Sequence, residues 1–176
     1  SHDCIGGGSA TNDDSQAEFW NITATGCRPN PQAAGSHQAF TLHENEKAIV
    51  HTATLSESNN IITIVGSSEL SVYNLTASGA YVGGLEALTD AHLYVYDSDL
   101  TADNGGSMAS GSGSVHVEDS TLNFTNSKLT YPSGTLEYVN NTMTINDPNC
   151  RIYAYGGVVY FTGNTITVTD VSSRMM

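Results

Sequence analysis

The sequence predicts an all-β fold, a right-handed parallel β-helix in which three strands form each coil and the coils stack into a solenoid. The main observation is a five-residue block, apolar at its first and third positions, that returns at steps of 23, 22, 21 and 23 residues. The block begins at Leu70, Leu93, Val115, Leu136 and Val159. Alternation of this kind is typical of a strand with one buried face. A fixed period of this size indicates units that stack on one another.

Two further segments in each period supply the other two strands. The second strands contain Leu100 and Ala102, Leu122 and Phe124, Met143 and Ile145, and Ile166 and Val168. The third strands contain Leu85 and Ala87, Met108, Leu129 and Tyr131, and Ile152 and Ala154. The same frame extends backward to Ala48, Val50 and Leu55, with Ile62 and Ile64 as the third strand. We therefore predict six coils of about 22 residues over residues 48–176 of a single domain.

A short polar residue follows the first strand of four coils, at Ser98, Ser120, Asn141 and Asn164. Side chains of this type hydrogen-bond to nearby turn backbone. Stacked in one column, they predict a hydrogen-bond ladder along the solenoid.

Residues 1–47 break the period and are predicted to form an N-terminal cap over the first coil. Ser15 and Glu18 match a capping box, which predicts a short helix or a folded flap before Trp20. Cys4 and Cys27 bracket this segment, and a disulfide between them would stabilise it by about 3 kcal/mol.

The alternative is that Cys4 and Cys27 form no disulfide and are small, buried apolar residues. Cys150 is left over, buried near a turn or available for a contact between chains.

Charge excludes two classes of partner. The chain has 18 acidic and 5 basic residues and a net charge of −13. Such a surface repels phosphate backbones and anionic lipids, so we expect neither nucleic acid nor anionic membranes as partners. No segment of the sequence approaches the roughly 20 continuous apolar residues of a transmembrane helix, so we expect no membrane insertion. The chain nevertheless has few charged residues, 13% of the total, and much Gly, Ser, Thr and Asn, a composition typical of extracellular or cell-surface proteins. Candidate N-glycosylation sites lie at Asn21, Asn74, Asn123 and Asn140, a number close to chance.

The outward positions of the first strands suggest a glycan-binding surface. They include Tyr73, Tyr94, Tyr96, His116, Glu118, Glu137 and Tyr160. Aromatic faces stack on sugar rings and carboxylates accept hydrogen bonds from hydroxyls. Tyrosine is also a good strand former, so strand propensity alone explains the same residues.

Catalysis has less support. Glu118 and Glu137 lie in adjacent coils, as a carboxylate pair for glycoside hydrolysis would. A polysaccharide lyase needs a base that removes the proton next to the uronate carboxylate, and cations that neutralise this carboxylate. The only basic residues in the later coils are Arg151 and Lys128. We predict no catalytic residue, and a hydrolase or lyase stays as the alternative.

No cofactor or metal is predicted either. The weak candidate is Ca²⁺ on turn carboxylates at Asp97, Asp99, Asp103 and Asp119, where solvated turns are the commoner outcome.

A further outward column contains Asp99, Thr121, Thr142 and Thr165, beside a second column of Thr101, Asn123, Thr144 and Thr167. Thr-X-Thr ranks of this kind resemble those of ice-binding solenoids. Threonine is also common on any exposed strand.

Past Val168 the sequence shows no amphipathic segment that would cover the last coil. Two interpretations are open. Either the chain belongs to a longer β-helix, or this end stacks on the next subunit and head-to-tail contacts build a filament.

The coil length, the three-strand pattern and the Asn or Ser column resemble the pectin-lyase-like right-handed β-helix superfamily over residues 48–170. Gly156 and Gly157, followed by Phe161 and Asn164, resemble the Gly-Gly and Phe-X-X-Asn repeats of polymorphic outer-membrane adhesins. The resemblance implies adhesins, filamentous surface proteins and polysaccharide-active enzymes. We expect a non-catalytic structural or adhesive protein whose partners are its own copies and surface glycans. The alternative is a carbohydrate-binding or carbohydrate-cleaving domain.

Overall fold

The structure is a computed structural model, and it describes residues 5–6, 16–26, 38–57, 60–79, 83–103, 107–125, 128–131, 133–146, 151–154 and 156–169. All elements in these ranges are strands or the turns between them. The strands form three parallel sheets of seven strands each, which we call sheets A, B and C.

Each sheet takes every third strand of the chain. Sheet A contains β1 (Ile5–Gly6), β4 (Gln38–Leu42), β7 (Asn60–Ile64), β10 (Gly83–Ala87), β13 (Ser107–Gly111), β16 (Lys128–Tyr131) and β19 (Arg151–Ala154). Sheet B contains β2 (Gln16–Phe19), β5 (Lys47–Val50), β8 (Glu69–Tyr73), β11 (His92–Tyr96), β14 (Ser114–Glu118), β17 (Thr135–Val139) and β20 (Val158–Thr162). Sheet C contains β3 (Ile22–Thr25), β6 (Ala53–Ser56), β9 (Leu75–Ser78), β12 (Asp99–Ala102), β15 (Thr121–Phe124), β18 (Thr142–Ile145) and β21 (Thr165–Val168).

The pairing register confirms the predicted solenoid. The first residues of successive sheet B strands stack in one column, at Lys47, Glu69, His92, Ser114, Thr135 and Val158. The predicted first, second and third strands fall in sheets B, C and A. Of the six coils predicted from residue 48, five have all three strands. The sixth has β20 and β21 within the described residues.

Strands also precede residue 48, and here one expectation was wrong. The helix or flap predicted before Trp20 is strand β2, which pairs in parallel with β5. A helix of one turn would gain little, because helix nucleation is costly. As a strand, the segment places Phe19 over the core, where its ring meets Phe40 edge to face at 5.7 Å. The role of residues 1–47 as a cap stays a prediction.

The core is the stack of inward side chains. Leu70, Leu93, Val115 and Leu136 lie in one fully buried column, and similar columns run through the other sheets. Each fully buried Leu or Val contributes roughly 1.5–3 kcal/mol relative to exposure. The in-register stacking therefore fixes which side chains point outward, and with them every candidate site.

Candidate functional site

The turn between sheets B and C is built the same way in most coils. One residue adopts a left-handed backbone, with φ between 50° and 68°, at Asn21, Asn74, Asp97, Asp119, Asn140 and Gly163. These residue types tolerate that conformation best. The left-handed residue turns the chain so that the next side chain points inward.

Those inward side chains form the predicted ladder, which is confirmed. The backbone N–H of Ser98 donates to Ser120 Oγ at 3.0 Å, and that of Ser120 donates to Asn141 Oδ1 at 2.8 Å. The N–H of Asn141 donates in turn to Asn164 Oδ1 at 2.8 Å. The ladder satisfies buried turn backbone and joins four successive coils.

The outer side of sheet B, which we call the aromatic face, carries all seven glycan-binding candidates. Register places Tyr94, His116, Glu137 and Tyr160 in one column. Tyr73, Tyr96 and Glu118 form the next column. The sequence thus predicted the membership of this face, and its binding role stays a prediction.

Ring orientation on the aromatic face was not predictable from the sequence. Trp20, His51, Tyr73 and Tyr96 form a stack with centroid distances of 3.6, 6.1 and 5.0 Å and interplanar angles of 14°, 17° and 18°. Rings stacked this way cover one another's faces. Tyr73 therefore offers a ligand its ring edge and hydroxyl, whereas stacking on a sugar needs an open ring face.

A histidine joins two carboxylates on the same face. His116 Nδ1 lies 3.0 Å from Glu137 Oε2, and its Nε2 lies 3.2 Å from Glu118 Oε2. A neutral imidazole donates through one nitrogen only, so a neutral ring donates to only one of these two carboxylates. The two carboxylates considered for glycoside hydrolysis are thus bridged by an imidazole.

The pKa of Tyr96 is raised above its usual value. Burial is the largest cause, followed by the neighbouring Tyr73, Glu118 and Tyr94. The Tyr96 hydroxyl therefore remains protonated and available as a hydrogen-bond donor on this face.

The outer side of sheet C, which we call the threonine face, has two regular columns. The first column contains Thr23, Thr54, Thr76, Asp99, Thr121, Thr142 and Thr165. The second contains Thr25, Ser56, Ser78, Thr101, Asn123, Thr144 and Thr167. All seven residues of the first column are exposed.

Sequence reasoning found the last four ranks of the threonine face and missed the first three. In the earlier coils, small inward residues such as Ala53 and Ala77 weaken the apolar signal that marks a strand. The Thr-X-Thr or Thr-X-Ser spacing at residues 23–25, 54–56 and 76–78 was the signal that could have revealed them.

An open acidic groove of about 410 Å³ runs beside the turn between sheets B and C. It contains Asp97, Asp99 and Asp119 together with neighbouring turn and strand residues. Across the part of the chain that the structure describes, no three His, Cys, Asp or Glu side chains are grouped as metal ligands. The expectation of no metal or cofactor, with Ca²⁺ on these aspartates as the weak candidate, stays a prediction.

The glycosylation candidates differ in their surroundings. Asn21, Asn74 and Asn140 are exposed on the left-handed turn, whereas Asn123 is half-buried in β15. The cysteines at positions 4, 27 and 150 lie outside the described residues, so their pairing stays a prediction. A search of the described ranges for a helix long and apolar enough to span a membrane finds none.

Neither a protein family, nor a curated protein, nor a solved structure matches this chain.

Proposed function

We propose that this chain is an extracellular or cell-surface protein with a structural or adhesive, non-catalytic role, whose solenoid stacks head to tail on a second copy. The observation that carries the proposal is the exposure of inward side chains in the last described coil. Phe161, Ile166 and Val168 are 39%, 36% and 43% exposed. Their counterparts one coil earlier, Tyr138, Met143 and Ile145, are 0%, 1% and 6% exposed.

The order of the strands supports a head-to-tail contact. The described strands begin in sheet A with β1 and end in sheet C with β21, and the order A, B, C is kept throughout. A second copy placed after β21 would supply its β1 to sheet A and then its β2 to sheet B. The three-sheet repeat would continue with no position empty and none filled twice.

Side chains at the two ends also fit one another. Following the sheet B register, Phe161 and Phe19 belong to the same inward column. In sheet C, Ile166 and Ala24 share a column in the same way. Ala24 is already only 7% exposed within one copy, so the apolar surface that stacking newly covers is mainly that of the last described coil, and the main chains of the open strands would pair.

Charge opposes this assembly. Each copy carries a net charge of −13, so two copies repel one another. Added salt screens that repulsion, because the Debye length falls from about 10 Å at 0.1 M to about 3 Å at 1 M. Assembly is therefore expected to increase with ionic strength.

Light scattering after size exclusion and negative-stain electron microscopy, over a series of protein and salt concentrations, test the proposal. We expect rods whose length increases with protein concentration and with salt concentration. Ile166→Glu places a charge in the stacking interface and should give monomers. Thr167→Glu adds the same charge on the outward side of the same strand and should assemble like the parent. Monomers at every protein and salt concentration would refute head-to-tail stacking. In that case, the group that covers the last described coil would be a further segment of a longer polypeptide.

Glycan binding by the aromatic face is the second candidate function. It is supported by Tyr160, which is 53% exposed and follows Tyr94, His116 and Glu137 in one column. A glycan array with a parallel reducing-sugar assay separates binding from cleavage. We expect retention without sugar release, and loss of retention in Tyr160→Ala but not in Thr162→Ala on the same strand.

The parallel sheets and the Asn ladder also support our proposal of kinship with adhesins of the pectin-lyase-like superfamily.

A further inference from the structure

We infer that the threonine face binds ice. The inference goes beyond the proposed assembly, because it concerns the outer side of sheet C rather than the ends of the solenoid. Ten of the fourteen outward positions are threonine, six in the first column and four in the second, and two more are serine. Only Asp99 and Asn123 interrupt this double row of hydroxyls.

The enrichment is found in sheet C and is not shared by sheet B. At the fifteen outward positions of β8, β11, β14, β17 and β20 in sheet B, only Thr135 and Thr162 are threonine. Strand propensity favours threonine equally in both sheets. Some property of the outer surface of sheet C must therefore account for the difference.

Because the strands of sheet C pair in register, the hydroxyl groups of the threonine face are arranged in a regular two-dimensional array. Neighbouring strands lie about 4.8 Å apart, and residues i and i+2 of one strand lie about 6.6 Å apart. Pairing without a register shift repeats this rank through seven strands, over a length of about 29 Å. Hexagonal ice repeats its oxygen atoms at similar spacings on its crystal faces, so many hydroxyls can meet lattice positions at once.

The chemistry of the face suits a neutral lattice of water. Each threonine presents a hydroxyl that hydrogen-bonds to water and a methyl group that displaces disordered water. Its β-branched side chain has a restricted χ1, so little rotamer freedom is lost on contact. Asp99 carries the only charge among the fourteen positions. A mineral surface would require more charge, and a crystalline polysaccharide would require aromatic side chains, of which the fourteen outward positions of sheet C have none.

The neighbouring ladder holds the lattice in place. Thr121 and Thr142 directly follow Ser120 and Asn141, which are buried and hydrogen-bonded between coils. Anchoring of this kind keeps the first column in register before any ligand binds, which lowers the entropic cost of binding.

Thermal hysteresis and inhibition of ice recrystallisation, measured on the full unglycosylated chain, test the inference. We expect both activities in the parent protein. Thr121→Tyr places a ring that protrudes from the middle of the lattice and should reduce hysteresis by about fivefold or more, as a steric clash at an interface does. Thr135→Tyr makes the same change on sheet B and should leave hysteresis unchanged. Asp99→Thr completes the first column and should increase hysteresis by up to about twofold, since it removes a hydrated charge.

Absence of both activities in the parent would overturn the inference. An equal loss in Thr135→Tyr, or no gain in a folded Asp99→Thr, would overturn the assignment to sheet C. Circular dichroism identifies a variant that fails to fold. If Thr121→Tyr does not fold, Asp99→Thr alone tests the inference. The monomeric Ile166→Glu chain should retain thermal hysteresis and inhibition of ice recrystallisation. Ice binding and head-to-tail stacking are therefore tested separately.

Discussion

The side chain of Asn141 accepts a hydrogen bond of 2.8 Å from the backbone N–H of Ser120, one coil earlier in the solenoid. Its Nδ2 also donates to the carbonyl oxygen of Val117 at 2.9 Å, and the residue is 1% exposed. One side chain therefore satisfies a donor and an acceptor of the preceding coil. The turn between sheets B and C depends on this contact, because neither backbone group has access to water.

We predict that Asn141→Ala lowers the free energy of unfolding by about 2–4 kcal/mol, because two buried backbone groups lose their partner. Urea denaturation measures the change. Asn123→Ala, a half-buried outward position in β15, is the control and should cost about 0.5 kcal/mol or less. Equal losses in the two variants would show that the ladder adds nothing beyond general packing.

The regular part of the fold was predictable for a physical reason. A strand with one buried face must alternate, and stacked coils must repeat at a fixed spacing, so both periods are visible in the residues themselves. The column from Ser98 to Asn164 was predictable because short polar side chains at one turn position have an evident use.

The parts that could not be predicted depend on spacing and orientation. Gln16 and Lys47 are register partners although 31 residues separate them, whereas later coils are 21 to 23 residues apart. The longer connection breaks the period and hides the first coil. The mutual stacking of Tyr73 and Tyr96 depends on side-chain torsions, and the sequence pattern contains no information about these.

Gly111 ends β13 with φ at 123°, and a Cβ there would overlap the carbonyl oxygen of Ala87 on the neighbouring strand. We predict that Gly111→Ala destabilises the protein by about 3 kcal/mol or more, since both the backbone and the packing must shift. Gly26 has φ at 70°, but a Cβ added there would meet no atom within 4 Å. Gly26→Ala should cost only about 1–2 kcal/mol, the intrinsic cost of a left-handed conformation. Thermal unfolding compares the two, and similar losses would show that close packing at Gly111 is not limiting.

Tyr96 makes stability depend on alkaline pH, because burial and its neighbours raise its pKa in the folded protein. A raised folded pKa contributes stability that is fully present below the unfolded value of about 10 and is lost as pH rises through the folded value. We therefore predict that Tyr96→Phe loses less stability than the parent as the pH rises above about 10. Denaturation curves across this range measure both slopes. Parallel slopes would show that Tyr96 ionises alike in the folded and unfolded chains.

The geometry of the solenoid accounts for three of the four Asn-X-Thr sequences. The left-handed turn favours asparagine at positions 21, 74 and 140, and the first column of the threonine face follows two residues later. Each of these sequences therefore combines two structural columns, and each presents an exposed asparagine. Asn123 instead lies within strand β15 and is half-buried.

We predict that expression through a eukaryotic secretory pathway gives higher glycan occupancy at Asn74 and Asn140 than at Asn123, because the modifying enzyme needs access to an exposed side chain. Mass spectrometry of glycopeptides measures occupancy site by site, with Asn74→Gln and Asn140→Gln as controls for assignment. A glycan on Asn140 would extend beside Thr142 and obstruct the threonine face. Enzymatic removal of the glycans should therefore increase thermal hysteresis in the parent, and it should have a smaller effect in a variant that combines Asn74→Gln with Asn140→Gln, where only Asn21 and Asn123 remain as sites. Occupancy at Asn123 equal to that at the turn positions would contradict the role assigned to turn geometry.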